Sequence, residues 1–192
     1  MAKQGKGSAF ERQICKDLSL WWTEGDRDDV FYRTSNSGGR AATRAKKGRS
    51  TINQHGDICC TDLDGQPLLD LLTFEVKRGY SSDTLGDLLD FPPTAALQRW
   101  EQWIIQAQRS KREAGSLGWA IVSKRDRRKA LITIEERVSS LLIDPAIGCL
   151  FFQDLRNEEG EWDYVRMQAM DLEWFLAQVP PAHVRQIVRE TR

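Results

Sequence analysis

Apolar and polar positions follow two different periods along the chain. Apolar residues at 10–22 and again at 95–114 recur at helical spacing, so each stretch is predicted to form an amphipathic helix. Short runs rich in β-branched and aromatic residues predict strands at 30–34, 118–123 and 130–134. Beyond residue 135 the predicted elements are shorter, with helices at 138–142, 171–176 and 183–192 and strands at 149–152 and 164–170. This mixture of helices and strands predicts an α/β domain.

The segment 57–77 is predicted to form a β-hairpin. Residues 58–61 would form a short first arm, residues 64–67 have turn composition, and the run 71–77 ends in alternation. Because successive side chains on a strand point to opposite faces, Glu75 and Lys77 share a face. A turn centred on position 66 would place Asp57 opposite Glu75, with their Cβ atoms roughly 4.5–5.5 Å apart. A longer loop at 68–72 would change this register.

Two carboxylates facing each other at that distance repel unless another group compensates for their charge. A divalent cation would do so, since hard cations such as Mg²⁺ prefer carboxylate oxygens. Lys77 beside the pair would orient an attacking water or stabilise charge on a phosphate. The alternative is a surface hairpin with an ordinary Glu–Lys pair, because 29% of the residues are charged.

Ser8 and Glu11 have the spacing of a capping box at the start of the first helix. That role is sufficient to explain a glutamate at position 11.

Basic residues are concentrated in one part of a chain whose formal net charge is zero. No acidic residue occurs at positions 30–56, and the small, polar composition there predicts a mobile loop at 35–56. Clustered basic side chains attract DNA phosphates, although a solvated linker has the same composition. A second basic segment, at 124–129, is likewise either a phosphate-contacting patch or a solvated turn. The predicted DNA-binding residues are Arg33, Arg40, Arg44, Lys46, Lys47 and Arg49.

Asp57 followed by Glu75-Val76-Lys77 resembles the signature of PD-(D/E)xK nucleases, and this tripeptide is the only (Asp/Glu)-x-Lys in the chain. Gly56 stands where the signature has proline. Within that superfamily the pattern is similar to archaeal-type Holliday-junction resolvases and small phage nucleases, over roughly residues 6–135. The resemblance implies a restriction-endonuclease-like αβββαβ core with a mixed sheet. We expect this core at residues 1–144 and a C-terminal α+β extension, packed on the same domain, at 145–192.

The same resemblance implies a Mg²⁺-dependent DNA endonuclease, with Mn²⁺ as an alternative ion. Asp57, Glu75, the Val76 carbonyl and Glu11 would be metal ligands, and Lys77 would act with Asp57, Glu75 and Glu11 in catalysis. The expected activity is structure-selective cleavage, as in a Holliday-junction resolvase acting in DNA recombination, and a homodimer is the usual form. A restriction-like or repair nuclease and a non-catalytic nucleic-acid-binding module are the alternatives. Gln102 and Gln106 would lie near the site, whereas the tryptophans of the same helix belong to its apolar stripe.

Several other functions are disfavoured by the sequence. No apolar stretch approaches the roughly 20 residues that span a bilayer, so we expect a cytoplasmic protein with no membrane partner. The four cysteines show no Cys-x-x-Cys spacing, which disfavours a zinc site. No Ser-His-Asp constellation is evident, and no organic cofactor is expected.

Overall fold

A computed structural model describes residues 6–34, 55–61, 63–80, 82–90 and 96–191 of the chain. Most of the predicted basic loop, with Arg40, Arg44, Lys46, Lys47 and Arg49, lies outside these residues.

The described residues form helices and strands in mixed order. The helices are α1 (Lys6–Trp22), α2 (Gln66–Leu71), α3 (Asp87–Asp90), α4 (Arg99–Ala114), α5 (Glu136–Leu142), α6 (Leu172–Gln178) and α7 (Pro181–Thr191). The strands are β1 (Phe31–Arg33), β2 (Ile58–Cys60), β3 (Leu72–Arg78), β4 (Gly118–Lys124), β5 (Ala130–Glu135), β6 (Cys149–Arg156) and β7 (Trp162–Asp171).

Five strands form one mixed sheet in the order β3-β4-β5-β7-β6. β3 and β4 are parallel, because the chain crosses between them through α4, and the remaining pairs are antiparallel. β1 and β2 form a separate antiparallel pair. The α/β class and the mixed, restriction-endonuclease-like sheet predicted from the sequence are confirmed.

The predicted hairpin at 57–77 is wrong. β2 pairs with β1, with Phe31 opposite Cys60, and a 3-10 turn at Leu63–Gly65 followed by α2 occupies the place of the predicted turn and separates β2 from β3. Pro67 lies in the first turn of α2, where its missing N–H costs nothing. Leu68 and Leu71 are fully buried on the inner face of this helix, so residues 66–71 form a helix instead of a turn or loop, while most of the predicted second arm at 71–77 is strand β3.

The sheet has an apolar core on each face. Phe74 and Val76 of β3 pack with α1, α6 and α7 on one side, whereas Trp119 and Ile121 of β4 pack under α4 on the other. Because side chains alternate along β3, Glu75 points toward α4. This charged side chain is therefore buried on the α4 side of the sheet.

The C-terminal quarter of the chain contributes to the same sheet. β7 lies between β5 and β6, so two strands after residue 144 complete the five-stranded sheet. The division into core and extension remains a prediction. Within the described ranges no helix is both long and apolar enough to cross a membrane.

Candidate active site

Asp57 lies immediately before β2 and is attached to the outer edge of β3. Its backbone N–H donates to the Phe74 carbonyl over 2.8 Å, and its Oδ2 accepts from the Val76 N–H over 2.8 Å. Gly56 permits this approach, because it has φ +74° and an added Cβ would lie 2.5 Å from the Phe74 oxygen. The close approach explains a glycine at the position where the nuclease signature has proline.

Glu75 and Lys77 lie beside Asp57, although the hairpin that was expected to bring them together is absent. The Lys77 Nζ is 2.8 Å from Glu75 Oε2 and 3.8 Å from Asp57 Oδ2. Asp57 and Glu75 are 4% and 1% exposed, so water screens their charges little. The three residues predicted to carry the chemistry form one cluster, in which the two carboxylates are buried and Lys77 is half-buried.

The electrostatic balance of this cluster disfavours two full negative charges. Burial, together with the negative charge of Glu75, raises the pKa of Asp57 to about 6, against the lowering effects of Lys77 and the Val76 N–H. One ammonium group compensates for only one of two carboxylates, so a cation at this position would be favoured.

Helix α4 supplies two further polar contacts to Glu75. Gln106 Nε2 donates to Glu75 Oε2 over 2.6 Å, and its Oε1 accepts from Lys77 over 3.0 Å. Ser110 Oγ donates to Glu75 Oε1 over 2.8 Å. Gln106 was expected here from the resemblance, whereas Ser110 was missed. The sequence clue to Ser110 is its i, i+4 spacing from Gln106, which places both residues on the helix face that covers β3.

Gln102, the other glutamine expected near the site, makes a different contact. It is exposed, and its Nε2 donates to the Leu97 carbonyl over 2.9 Å.

Glu11 lies on α1 and pairs with Arg33 of β1, whose Nε is 2.7 Å from Glu11 Oε2. α1 begins at Lys6, so Ser8 lies inside the helix and the predicted N-cap is wrong. Arg33 lies opposite Ile58, the residue after Asp57. Glu11 is therefore linked through Arg33 to the strand that follows Asp57, and its metal-ligand role remains a prediction.

The residues of this cluster fit a divalent-cation site in which the protein supplies only a few of the ligands. Asp57 and Glu75 supply buried carboxylates, and in the described part of the chain no third His, Cys, Asp or Glu joins them. On a β-strand the N–H and C=O of one residue point to the same edge. Because the Val76 N–H donates to Asp57, the Val76 carbonyl lies on the same edge of β3. A hard cation with several retained waters suits such a donor set.

Comparison with known families identifies the class of this protein. The chain matches, over residues 2–186, a family described as "phage putative PDDEXK endonuclease". The chain therefore belongs to this phage PD-(D/E)xK nuclease family, and the match extends beyond residue 135, where the resemblance of the motifs ended. No curated protein and no solved structure matched the chain.

Proposed function

We propose that this protein is a Mg²⁺-dependent DNA endonuclease in which Asp57, Glu75 and Lys77 form the catalytic cluster. The observation that carries the proposal is the burial of two carboxylates beside one ammonium group, at the edge of β3. Membership of a nuclease family supports it independently. A cytoplasmic site of action is proposed with it.

Asp57, Glu75 and the Val76 carbonyl would hold the ion, with Mn²⁺ as an alternative to Mg²⁺, and Glu11 is a candidate for a further ligand. When bound, the ion would polarise the scissile phosphate and lower the pKa of a water molecule. Lys77 would orient that water and stabilise negative charge developing on the phosphate. Gln106 holds both Lys77 and Glu75, so it fixes the ammonium group relative to the carboxylates.

The proposed substrate is branched DNA, as for the Holliday-junction resolvases that the motif resembles. A restriction-like or repair nuclease is the second candidate, and a non-catalytic DNA-binding module is the third. Comparing cleavage of a four-way junction with cleavage of the matched linear duplex separates the first two candidates. Both are measured with Mg²⁺ and with chelator.

Substitution of Asp57 or Lys77 by Ala tests the enzyme against the binding module. We expect both variants to lose cleavage and to retain DNA binding. If the wild-type protein cleaves no DNA with Mg²⁺, while binding persists, the binding module is favoured.

The basic segment is proposed to contact DNA phosphates. Arg33 is half-buried at the end of β1 and pairs with Glu11, while the other basic residues of this group lie outside the described part. Replacing Arg40, Arg44, Lys46, Lys47 and Arg49 should weaken binding. It should also reduce the log–log salt slope by about one unit per lost phosphate contact. An unchanged slope would overturn this assignment.

A homodimer is proposed as the working form. β6 is an edge strand, and the hairpin of β6 and β7 exposes Phe152, Trp162 and Tyr164, each at least half exposed. Phe152 lies opposite Arg166 and Tyr164 opposite Asp154, so the aromatic rings lie among charged neighbours. A second copy would cover these rings and the unpaired edge. Light scattering should give a dimer that Phe152→Lys dissociates, and a monomeric wild-type protein would contradict the proposal.

A further inference from the structure

A cavity of about 330 Å³ lies next to the carboxylate cluster, and Lys77 lines it. Lys77, Ser123 and Leu131 are adjacent on one face of the sheet, because Lys77 pairs with Ser123 and Ser123 with Leu131. These residues line the cavity on the sheet side, and α4 borders the other side. Lys77 also contacts Glu75 over 2.8 Å. A ligand in the cavity would therefore touch the same lysine side chain that belongs to the proposed cleavage site.

Aromatic rings form one wall of this cavity, here called the aromatic cavity. Tyr80 packs against Trp103 at a centroid distance of 5.1 Å, and Trp103 against Trp100 at 4.9 Å. The tryptophans are buried, as expected for the apolar stripe of α4, whereas Tyr80 is 39% exposed and leaves its side of the cavity open to solvent. The buried indole Nε1 of Trp100 has no acceptor among the described residues.

Basic side chains, most of them from the end of β4 and the turn that follows it, line another part of the cavity. Among the described lining residues the only acidic one is Asp83, which pairs with Arg99 at 3.5 Å. The basic ones are Lys77, Lys124, Arg125, Arg128 and Lys129. An apolar cavity with aromatic walls and basic lining residues suits a flat, polar, ring-shaped group attached to a phosphate.

We infer that the aromatic cavity receives one unpaired nucleobase of the DNA, next to the phosphate that is cleaved. Its volume is at the lower end of the roughly 300–1,000 Å³ typical of ligand sites, which suits one base and excludes a base pair with its backbone. The base would stack on the part of the Tyr80 ring that the Arg99 guanidinium, 4.9 Å from the ring centroid, leaves uncovered, while the basic side chains hold the flanking phosphates. This inference rests on the proposed nuclease function and narrows its substrate class.

A consequence for substrate choice follows from the cost of opening a base pair. In continuous duplex a base reaches such a cavity only after it is unpaired and unstacked, which costs a few kcal/mol. At a flap, a junction or a mismatch this cost is already reduced. The cavity therefore favours DNA with an unpaired base beside the scissile bond over matched duplex.

Tyr80 offers a test that does not depend on cleavage. Flap DNA carries the fluorescent base 2-aminopurine at successive positions near the branch, and binding is followed in the cleavage-inactive background Asp57→Asn. Tyr80→Phe keeps the ring and Tyr80→Ala removes it. Melting curves verify that both variants fold.

We expect one labelled position to change fluorescence on binding, and Tyr80→Phe to preserve this change. Tyr80→Ala should abolish it and weaken flap binding by roughly 5- to 100-fold, the loss of one base–aromatic stack, while matched duplex binds as before. Equal effects of Tyr80→Ala on both DNAs, or none on either, would overturn the inference. Because binding is read without cleavage, a failure of the nuclease proposal itself appears separately, as absent hydrolysis by the wild-type protein.

Discussion

Two glutamates are almost fully excluded from water in this protein, and their surroundings differ. Glu101 on α4, 0% exposed, accepts from the Gln98 N–H over 2.7 Å and from Arg156 over 3.1 Å. Glu75 on β3, 1% exposed, instead shares Lys77 with a second carboxylate, Asp57. A buried charge with its own cation and a backbone donor belongs to the framework of the fold. A buried pair with a deficit of positive charge is typical of a functional site.

The largest expected effect comes from exchanging each glutamate for glutamine. Glu75→Gln should reduce cleavage by roughly 10³-fold or more, because it removes charge that the ion needs. Glu101→Gln should leave cleavage measurable but lower the free energy of unfolding by about 2–3 kcal/mol, since Arg156 loses its partner. Cleavage assays and urea unfolding of both variants measure this. Loss of cleavage by both variants at full stability would contradict the comparison.

The charge deficit at the cluster predicts a pH-dependent stability of the metal-free protein. The pKa of Asp57 is raised from 3.8 to about 6 by burial and by Glu75. Protonated Asp57 therefore contributes its full stabilisation of the folded state below pH 3.8, and this contribution is lost as the pH rises through about 6. Asp57→Asn removes this loss and should raise the free energy of unfolding at pH 8 by about 2–3 kcal/mol over wild type, with a smaller gain near pH 4.

Chemical unfolding across this pH range, in chelator, measures the Asp57 effect. Adding Mg²⁺ should then raise the melting temperature of the wild-type protein more than that of the Asp57→Asn variant. A gain in stability independent of pH would argue against an ionised Asp57 as its source.

Gln106 and Gln102 allow a matched test on one helix. Gln106→Ala removes the amide that holds Glu75 and Lys77, so kcat should fall by about 10- to 100-fold, with DNA affinity unchanged. Gln102→Ala, at an exposed position with a contact to the Leu97 carbonyl, should behave as wild type. Equal activity of the two variants would remove Gln106 from the positioning of the cluster.

The smallest expected effect concerns Glu11. If Glu11 contributes to ion binding, Glu11→Gln should raise the Mg²⁺ concentration for half-maximal cleavage by roughly tenfold. Arg33→Ala removes its ion-pair partner and serves as the control, measured at saturating DNA because Arg33 is itself a proposed DNA contact. If both variants keep the wild-type metal requirement, the role of Glu11 is limited to its contact with Arg33.

Residue types and spacing were sufficient to select Asp57, Glu75 and Lys77 as candidates, because Glu75 and Lys77 share one face of β3 and the proposed chemistry needs acids and an amine together. The hairpin argument for their contact was nevertheless wrong. An apolar run as short as 68–72 does not by itself distinguish a loop, a strand or a helix, and only packing against the core decides between them. Ser110 was missed for a related reason, since contact between α4 and β3 is not local in sequence.

The amino-acid sequence by itself determined the alternation of elements, the amphipathic face of α4 and the chemical groups available for catalysis, because these depend on side-chain type and period. Tertiary structure alone decided that Asp57 is attached to the edge of β3 through backbone hydrogen bonds and that Gly56 makes room for it. It also decided that β7 inserts between β5 and β6 and that an aromatic cavity opens beside Lys77. Each of these features depends on contacts between distant segments, whose register no local pattern specifies.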